Sequence, residues 1–181
     1  IKNVHTNSIT SIAWSPTGKQ IVTGSRDKTV AMWDAKAGKH ITSLKSHSRP
    51  VNSVSYSEDG KYIVSGSDDC TVRVWDAYLG KEKQKLTVPS GYMCAVAFSP
   101  TKPSRIAVGS NECLVSVWDI VEGRELFNME GHTRSINCVA YSANGELIAS
   151  CADDGNIFIW NAENGILVYK HELKHPVSWV A

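Results

Sequence analysis

The sequence predicts an all-β protein made of four consecutive units, each a four-stranded antiparallel sheet. The first observation is a repeat of tryptophans with spacings of 42, 43 and 42 residues, at Trp33, Trp75, Trp118 and Trp160. The second is an apolar–small–aromatic–serine cluster 21 or 22 residues before each tryptophan, such as Val54-Ser55-Tyr56-Ser57. The third is that no run of about 11 or more residues carries the apolar periodicity of a helix.

The second unit illustrates the predicted strands and turns. Segments rich in β-branched and aromatic residues are expected to form its strands, at Val51–Tyr56, Tyr62–Ser67, Thr71–Trp75 and Lys83–Leu86. Turn-forming groups separate them, at Glu58-Asp59-Gly60, Ser67-Asp68-Asp69 and Leu79-Gly80-Lys81. Four short strands per unit, repeated side by side, are typical of the blades of a β-propeller and not of a sandwich.

The predicted blades cover residues 5–44, 47–86, 89–129 and 132–170. The third contains one extra residue in Pro100–Ser104, where a surface turn tolerates an insertion. Residues 177–181 align with Val51–Ser55 and are expected to begin a further blade, and Ile1–Val4 is expected to end a preceding outer strand. We therefore expect the chain to be part of a longer propeller.

The second unit also contains a motif that resembles a known family. His47, Ser65, Asp69 and Trp75-Asp76 are similar to the signature of the WD-repeat (WD40) family, whose units run about 40–45 residues and end near Trp-Asp. The resemblance covers essentially the whole chain. It implies a propeller closed by seven or eight blades, of which the four present here would form about half.

The resemblance further implies a buried hydrogen-bonded network of His, Ser or Thr, Asp and Trp inside a blade. The sets that match by position are His5, Thr23, Asp27 and Trp33; His47, Ser65, Asp69 and Trp75; and His132, Ser150, Asp154 and Trp160. The same residue types form catalytic triads. An enzyme has no need of three copies in successive units, so a structural role is favoured and no catalytic residue is expected.

The third unit departs from this pattern. Pro89, Val108 and Glu112 stand where His, Ser and Asp are expected, and only Trp118 remains. The three polar partners are lost together, and a partly satisfied buried network is worse than an apolar core. This blade is therefore expected to be held by packing and to be the one most adapted to a partner.

Composition and cysteine spacing exclude several classes of function. The 19 basic and 18 acidic residues give a net charge of +1, so neither nucleic acid nor a membrane surface is an expected partner. The five cysteines are odd in number and have no metal-ligand spacing, which favours a reducing compartment, cytosol or nucleus, and predicts no metal site. Gly24, Gly66 and Gly109 recur at one strand position and are interpreted as packing glycines, not as a phosphate loop. No cofactor is expected.

Residues in the loops before the first strand and after the second strand are the candidates for partner binding. In the WD-repeat family this end of the propeller is the commonest binding surface. The candidates are Arg26, Arg49, Tyr92, Asn111 and Arg134. Because arginine and tyrosine are enriched in interface hot spots, we expect these residues to contact an acidic or phosphorylated peptide. The alternative is that they are ordinary solvated loop residues.

Three functional interpretations follow from the resemblance. The first is a non-catalytic protein–protein interaction scaffold in a multiprotein assembly. The second is a substrate receptor of a ubiquitin ligase, since Trp33-Asp34-Ala35-Lys36 is similar to a Trp-Asp-x-Arg box but has Lys for Arg. The third is a sensor propeller attached to a nucleotide-switch or other catalytic domain. The fold alone does not choose among them.

Overall fold

The computed structural model describes residues 4–89, 91–173 and 175–180 and contains sixteen strands in four sheets. Each sheet has four antiparallel strands in chain order and forms one blade. Blade 1 contains β1 (Ile9–Trp14), β2 (Gln20–Ser25), β3 (Thr29–Asp34) and β4 (Lys39–Lys45), and blade 2 contains β5 (Val51–Tyr56), β6 (Tyr62–Ser67), β7 (Thr71–Asp76) and β8 (Lys81–Thr87). Blade 3 contains β9 (Met93–Phe98), β10 (Arg105–Ser110), β11 (Val115–Asp119) and β12 (Arg124–Met129), and blade 4 contains β13 (Ile136–Tyr141), β14 (Leu147–Ala152), β15 (Asn156–Asn161) and β16 (Leu167–Glu172). The all-β fold class and the four four-stranded blades are confirmed.

The strands of blade 2 begin and end within two residues of the predicted bounds. The largest difference is β8, which begins at Lys81 instead of Lys83. Lys81 and Glu82 pair with Asp76 and Trp75 beyond a bulge in the register, so the hairpin continues further toward its turn than the sequence pattern indicates. Across the ranges that the structure describes, no helix is long and apolar enough to cross a membrane.

A residue with left-handed backbone conformation ends the turn between the second and third strands of each blade. These residues are Lys28, Cys70, Cys113 and Gly155, with φ of 74°, 63°, 65° and 77°. In blade 2 the preceding Asp69 accepts, through Oδ1, the backbone N–H of Thr71 at 3.1 Å. An aspartate that bonds its own backbone two residues on fixes such a turn, which is a physical reason for the recurring Asp.

The hydrophobic cores lie between blades. The core between blades 1 and 2 includes Val22, Val30, Met32, Val51, Val54, Tyr56 and Trp75. That between blades 2 and 3 includes Val72, Val74, Met93, Val96, Ile106 and Trp118, and that between blades 3 and 4 includes Val115, Val117, Ile136, Val139, Phe158 and Trp160. The first strands of successive blades contact one another, so they form the inner wall of the arc and each blade depends on its neighbours for burial.

Glycine is required where a first strand approaches the preceding blade. A Cβ at Gly109 would lie 2.5 Å from Cγ2 of Ile136, and one at Gly24 would lie 2.9 Å from Cγ1 of Val51. A Cβ at Gly66 would lie at the same distance, 2.9 Å, from Cγ1 of Val96. The interpretation of these residues as packing glycines is confirmed, because any side chain there would separate two blades.

The two ends of the arc differ from its interior. Ile9, Ile12 and Trp14 on β1 are exposed, with Trp14 60% exposed, whereas the aligned Val51, Val54 and Tyr56 on β5 are buried against blade 1. At the other end, the carbonyl of Val177 accepts a hydrogen bond from Asn137 Nδ2 at 3.0 Å.

The carbonyl of Met93, at the start of β9, accepts the same bond from Asn52, also at 3.0 Å. Val177 is therefore bound to blade 4 by the same hydrogen bond that binds Met93, the first residue of β9, to blade 2. Of the segments expected to flank the four blades, Ile1–Asn3 and Ala181 lie outside the described residues.

Candidate functional site

In blade 2 the structure brings His47, Ser65, Asp69 and Trp75 together. His47 Nδ1 lies 2.9 Å from Asp69 Oδ2, and His47 Nε2 lies 2.7 Å from Ser65 Oγ. The indole N–H of Trp75 donates to the same Ser65 Oγ at 2.9 Å. Because a carboxylate only accepts, Nδ1 carries the proton, which leaves Nε2 to accept the Ser65 hydroxyl proton. Every polar atom of this chain of four side chains then has a partner.

Burial and hydrogen bonding set the charge in this network. Burial raises the pKa of Asp69, but hydrogen bonds from Thr71, His47 and Ser48 outweigh it and lower the pKa to about 2. Burial lowers the pKa of His47, against the opposing effect of Asp69. The aspartate is thus ionised and the imidazole is neutral at physiological pH.

Blades 1 and 4 contain the same arrangement. In blade 1, His5 Nδ1 lies 2.9 Å from Asp27 Oδ2, His5 Nε2 lies 2.7 Å from Thr23 Oγ1, and Trp33 donates to Thr23 at 2.8 Å. In blade 4 the corresponding distances are 3.0 Å for His132 to Asp154, 2.8 Å for His132 to Ser150 and 2.8 Å for Trp160 to Ser150.

Hydrogen bonding also lowers the pKa of the two aspartates. The pKa of Asp27 falls to about 2 because hydrogen bonds, led by that from Thr29, outweigh the raising effect of burial. The pKa of Asp154 is lowered in the same way, mainly by the backbone of Thr133 and Asn156.

The geometry of the networks is suited to structure and not to catalysis. Ser65 and Ser150 are 0% exposed, so no substrate can reach either hydroxyl. Each hydroxyl also holds the indole N–H of a buried tryptophan. The networks therefore fix the second and third strands of a blade to its entering loop.

In blade 3 a different residue accepts the hydrogen bond of the tryptophan indole N–H. The Trp118 indole N–H donates to Ser116 Oγ at 2.8 Å, while Val108, at the usual serine position, is buried and apolar. The expectation that packing alone holds this blade is therefore wrong for Trp118. Ser116 lies two residues before Trp118 on the same face of β11. The signal in the sequence was a hydroxyl where other blades have Ala31, Arg73 and Phe158.

Asn111 also replaces part of the missing network in blade 3. Its Oδ1 accepts the backbone N–H of Tyr92 at 2.6 Å, much as Asp69 accepts the N–H of Ser48 in blade 2. Gly91 has φ of +69°, and a Cβ there would lie 2.0 Å from Asn111 Oδ1. The side chain of Asn111 thus fixes its own loop, whereas Pro89 and Glu112 are exposed.

The loops that carry the predicted partner-binding residues lie at one end of the blades, which we call the loop face. It consists of the segments that precede β1, β5, β9 and β13 and the turns that follow β2, β6, β10 and β14. Arg26, Arg49 and Arg134 are exposed, and Tyr92 is 44% exposed.

Hydrogen bonds define which loop residues are equivalent. The carbonyls of Ser8, Pro50, Tyr92 and Ser135 accept the backbone N–H of Arg26, Asp68, Asn111 and Asp153 respectively. Tyr92 therefore aligns with Pro50, and Gly91 has the place of Arg49. In the turns of blades 2 and 4, Oδ1 of Asp68 and of Asp153 accepts a hydrogen bond from Nδ2 of Asn52 and of Asn137 respectively, each at 2.7 Å.

The cysteines do not form a metal centre in the part of the chain that the structure describes, where no group of three or more His, Cys, Asp or Glu residues is close enough to hold an ion. All five cysteines are free. Cys138 and Cys151 are buried cross-strand neighbours in blade 4. Burial raises the pKa of Cys151 to about 12 and also raises that of Cys138, so both thiols are protonated and unreactive.

Comparison with known families identifies the repeat. The sequence profile of the family described as "WD domain, G-beta repeat" matches residues 2–34, 38–76, 80–119 and 123–161. The chain belongs to the WD40 family. WD40 repeat domains are in general non-catalytic modules that bind other proteins. Each WD40 repeat from the second onward begins at an outer strand and ends with the third strand of the next blade, so a repeat joins two blades.

Individual relatives share about one repeat with the chain. Denticleless protein homolog B of Xenopus laevis is 46% identical over 43 residues, which cover 24% of this chain and 6% of that protein. Lissencephaly-1 homolog 1 of Paramecium tetraurelia is 42% identical over 41 residues, 23% of this chain and 10% of that protein. Anaphase-promoting complex subunit 4 of Dictyostelium discoideum is 43% identical over 49 residues, 26% of this chain and 6% of that protein. The matches span no more than about a tenth of these WD40 relatives.

Proposed function

We propose that this chain is a non-catalytic scaffold that binds other proteins or peptides through the loop face, as a part of a multiprotein assembly. The observation that carries the proposal is the set of exposed arginines on that face. Among the residues that the structure describes, no carboxylate lies within 4.0 Å of the guanidinium groups of Arg26, Arg49 or Arg134.

The chemistry of these side chains favours an acidic or phosphorylated segment as the partner. A guanidinium offers a planar fork of donors that matches a carboxylate or phosphate, and an arginine without an ion pair loses no partner when it binds one. Tyr92 adds an exposed aromatic ring on the same face. One relative, anaphase-promoting complex subunit 4, is by its name a subunit of a larger assembly.

Affinity purification with paired charge reversals tests the proposal. We expect Arg49→Glu combined with Arg134→Glu to lose proteins that the parent chain recovers from a cell extract, because both changes oppose an acidic partner. Lys19→Glu combined with Lys39→Glu makes the same change in charge at exposed positions away from the loop face and should retain them. Recovery of the same proteins by both variants would place the binding surface elsewhere.

The same purification separates the alternatives. A ubiquitin-ligase substrate receptor would recover ligase subunits, and their loss in Lys36→Glu would favour the Trp-Asp-x-Arg-like segment, in which Lys36 is exposed. A sensor propeller would be recovered with a catalytic domain in the same polypeptide. The scaffold proposal predicts neither.

We further propose an intracellular location, in the cytoplasm or nucleus, and further blades against the two ends of the arc. Five free cysteines fit a reducing compartment. The exposed Ile9, Ile12 and Trp14 have the positions that β5 buries against blade 1, so another blade, from the same polypeptide or a second chain, has the shape to cover them. Imaging of a tagged chain in cells checks the location.

A further inference from the structure

A groove opens between blades 2 and 3 at the end opposite to the loop face, beside the turns that precede β8 and β12. Its volume is about 190 Å³. It is lined by Tyr62, Val74, Lys83, Gln84, Ile120 and Val121. Val74 and Ile120 are buried at its base, whereas Val121 is 69% exposed at its rim. We call this site the basic groove.

The corresponding position between blades 3 and 4 has different side chains. There Phe127 has the place of Gln84, and Arg105 and Glu163 have the places of Tyr62 and Val121. Arg105 binds Glu163 through Nη1 at 2.9 Å, and Lys102, from the turn that contains the inserted residue, also binds Glu163. The side-chain chemistry of the groove is therefore a property of the residues at blades 2 and 3 and not of the repeat itself.

The side of the groove formed by blade 2 is positively charged. The Lys83 ammonium lies 5.4 Å from the centre of the Tyr62 ring and 4.0 Å from Asp76 Oδ2. Asp76 Oδ1 accepts the backbone N–H groups of Tyr78 and Leu79, while Oδ2 faces Lys83, so the carboxylate offsets one lysine and the second lysine, Lys81, leaves this side positive. Lys81 is exposed and pairs with Asp76 in register, which puts it on the face of the blade that lines the groove.

The blade 3 side adds no net negative charge that would neutralise these lysines. Glu122 pairs with Arg124 at 2.6 Å. In the described part of the chain, no carboxylate other than Asp76 lies within 4.0 Å of the Lys83 ammonium, and none does so for Lys81. Lys81 therefore has no ion pair among the described residues, and Lys83 has only the contact of 4.0 Å with Asp76, which an acidic ligand can share.

The size of the groove limits what it can hold. Sites for small molecules usually measure about 300–1,000 Å³. A groove of about 190 Å³ with an apolar base suits one apolar side chain of a peptide instead. Apolar contact supplies affinity at its base, and lysines at its rim supply selectivity for acidic neighbours of that side chain.

We propose that the basic groove is a docking site for an acidic segment of a partner protein, which inserts one apolar side chain against Val121 and sets carboxylates beside Lys81 and Lys83. This surface is separate from the loop face and its arginines. A chain with both sites binds two segments at once, which is what a scaffold requires.

Fluorescence anisotropy with a defined probe tests this proposal on the full chain. The probe is a short fluorescein-labelled peptide in which a single leucine is flanked by aspartates and glutamates. We expect Val121→Glu and Lys83→Glu each to weaken binding about tenfold, the first by replacing the apolar contact with a carboxylate that repels the acidic probe and the second by charge reversal. A probe with alanine for leucine should bind to the parent chain more weakly than the leucine probe does, because only the apolar contact is lost.

The matched control is Lys28→Glu, which makes the same change in charge at an exposed residue of the loop face. Val121→Ala provides a milder change of the same contact, and thermal unfolding establishes that each variant is folded. Binding that survives Val121→Glu, or that Lys28→Glu weakens as much as Lys83→Glu, would overturn the proposal. So would a probe with lysines for its acidic residues that binds equally well. Loss of binding in Arg49→Glu with Arg134→Glu would instead assign the probe to the loop face.

Discussion

At Asp69, donors from two segments of the chain converge on one carboxylate. The Thr71 hydroxyl donates to Oδ1 at 2.5 Å, and the Ser48 backbone N–H donates to Oδ2 at 3.0 Å. The His47 imidazole is the third donor, at 2.9 Å. A carboxylate with this many donors is stabilised in its ionised form, and protonation would remove the charge that those donors solvate. The energetic value of the network therefore depends on pH.

We expect thermal stability to fall as the pH is lowered from neutrality. The pKa of Asp69 is about 2 in the folded chain, compared with about 3.9 for an unfolded aspartate. The unfolded state thus binds the proton first, and the stabilisation is present above about pH 4 and lost as the pH falls toward about 2. The pKa of His47 is also lowered in the folded chain, so its contribution has the same sign and is lost as the pH falls below about 6.5.

Circular-dichroism melts across this pH range measure the effect. Asp69→Asn should unfold at a lower temperature than the parent at neutral pH, and its unfolding temperature should depend less on pH between about 4 and 2. The same slope in both proteins would show that this carboxylate does not contribute.

Ser116 is expected to have a measurable role in blade 3. Removal of its hydroxyl leaves the buried Trp118 indole N–H without an acceptor. We expect Ser116→Ala to reduce the free energy of unfolding by about 1–3 kcal/mol. Denaturant melts of Ser116→Ala, Val108→Ser and the double variant form a cycle. Ser at position 108 restores the acceptor geometry of blade 2. The double variant should therefore lose less free energy of unfolding than the sum of the losses in the two single variants. Additive effects would contradict this account of Trp118.

At the scale of strands, one side chain joins each of blades 1, 2 and 4 to the segment that follows. Asn52 Nδ2 donates to Asp68 Oδ1 at 2.7 Å in its own blade and to the Met93 carbonyl at 3.0 Å in the next. Thr10 donates in the same way to the Val51 carbonyl at 2.6 Å. Blade 3 has Cys94 at this position, where its thiol contacts Ser135 Oγ at 3.6 Å instead.

Loss of this bond should weaken the contact between blades 2 and 3. We expect Asn52→Ala to reduce the free energy of unfolding by about 1–2 kcal/mol, since two hydrogen bonds are lost and Asp68 is left without its donor. Asn128→Ala is the matched control, because Asn128 is exposed on an outer strand and bonds only Glu125. Urea melts compare the two variants, and equal losses would refute a specific role for Asn52.

The strands and networks were predictable because they repeat. The tryptophan spacing predicted the four sheets, and the resemblance of His47, Ser65 and Asp69 to the WD-repeat signature implied which side chains meet. Ser116 was missed because it acts at a position where other blades have no hydroxyl, so it has no periodic signal. The ion pair of Arg105 with Glu163 joins residues 58 apart in different blades, and only the packing of two sheets creates it. The basic groove has the same origin. That Tyr92 is equivalent to Pro50 also became visible only in the structure, because the loop before β9 turns at Gly91.

At the scale of the whole arc, apolar burial ends abruptly at its two outer faces. Three cores serve four blades, so blades 2 and 3 are covered on both faces and blades 1 and 4 on one. On β1, Ile9, Ile12 and Trp14 form a contiguous exposed apolar strip. Strips of this kind on a folded protein mark an interaction surface.

We expect the chain, when purified by itself, to associate in sedimentation experiments. Trp14→Asp should reduce the association, because it puts a charge into the strip at an exposed residue. Tyr78→Asp is the control, since Tyr78 is 94% exposed on a turn away from both end faces. A parent chain that sediments as a monomer, or equal association of both variants, would contradict this expectation.

The location of the cores between blades also determines how the chain should respond to a pulling force. Because each repeat contributes strands to two blades, tension is transmitted from one sheet to the next. Blades 1 and 4 are each held by one core, so they should detach before blades 2 and 3, and rupture should proceed inward from the ends in separate steps. In a single-molecule pulling experiment on this stretch of chain, a load applied across blades 1 and 4 would extend it gradually, whereas a load applied across blades 2 and 3 would meet two cores at once.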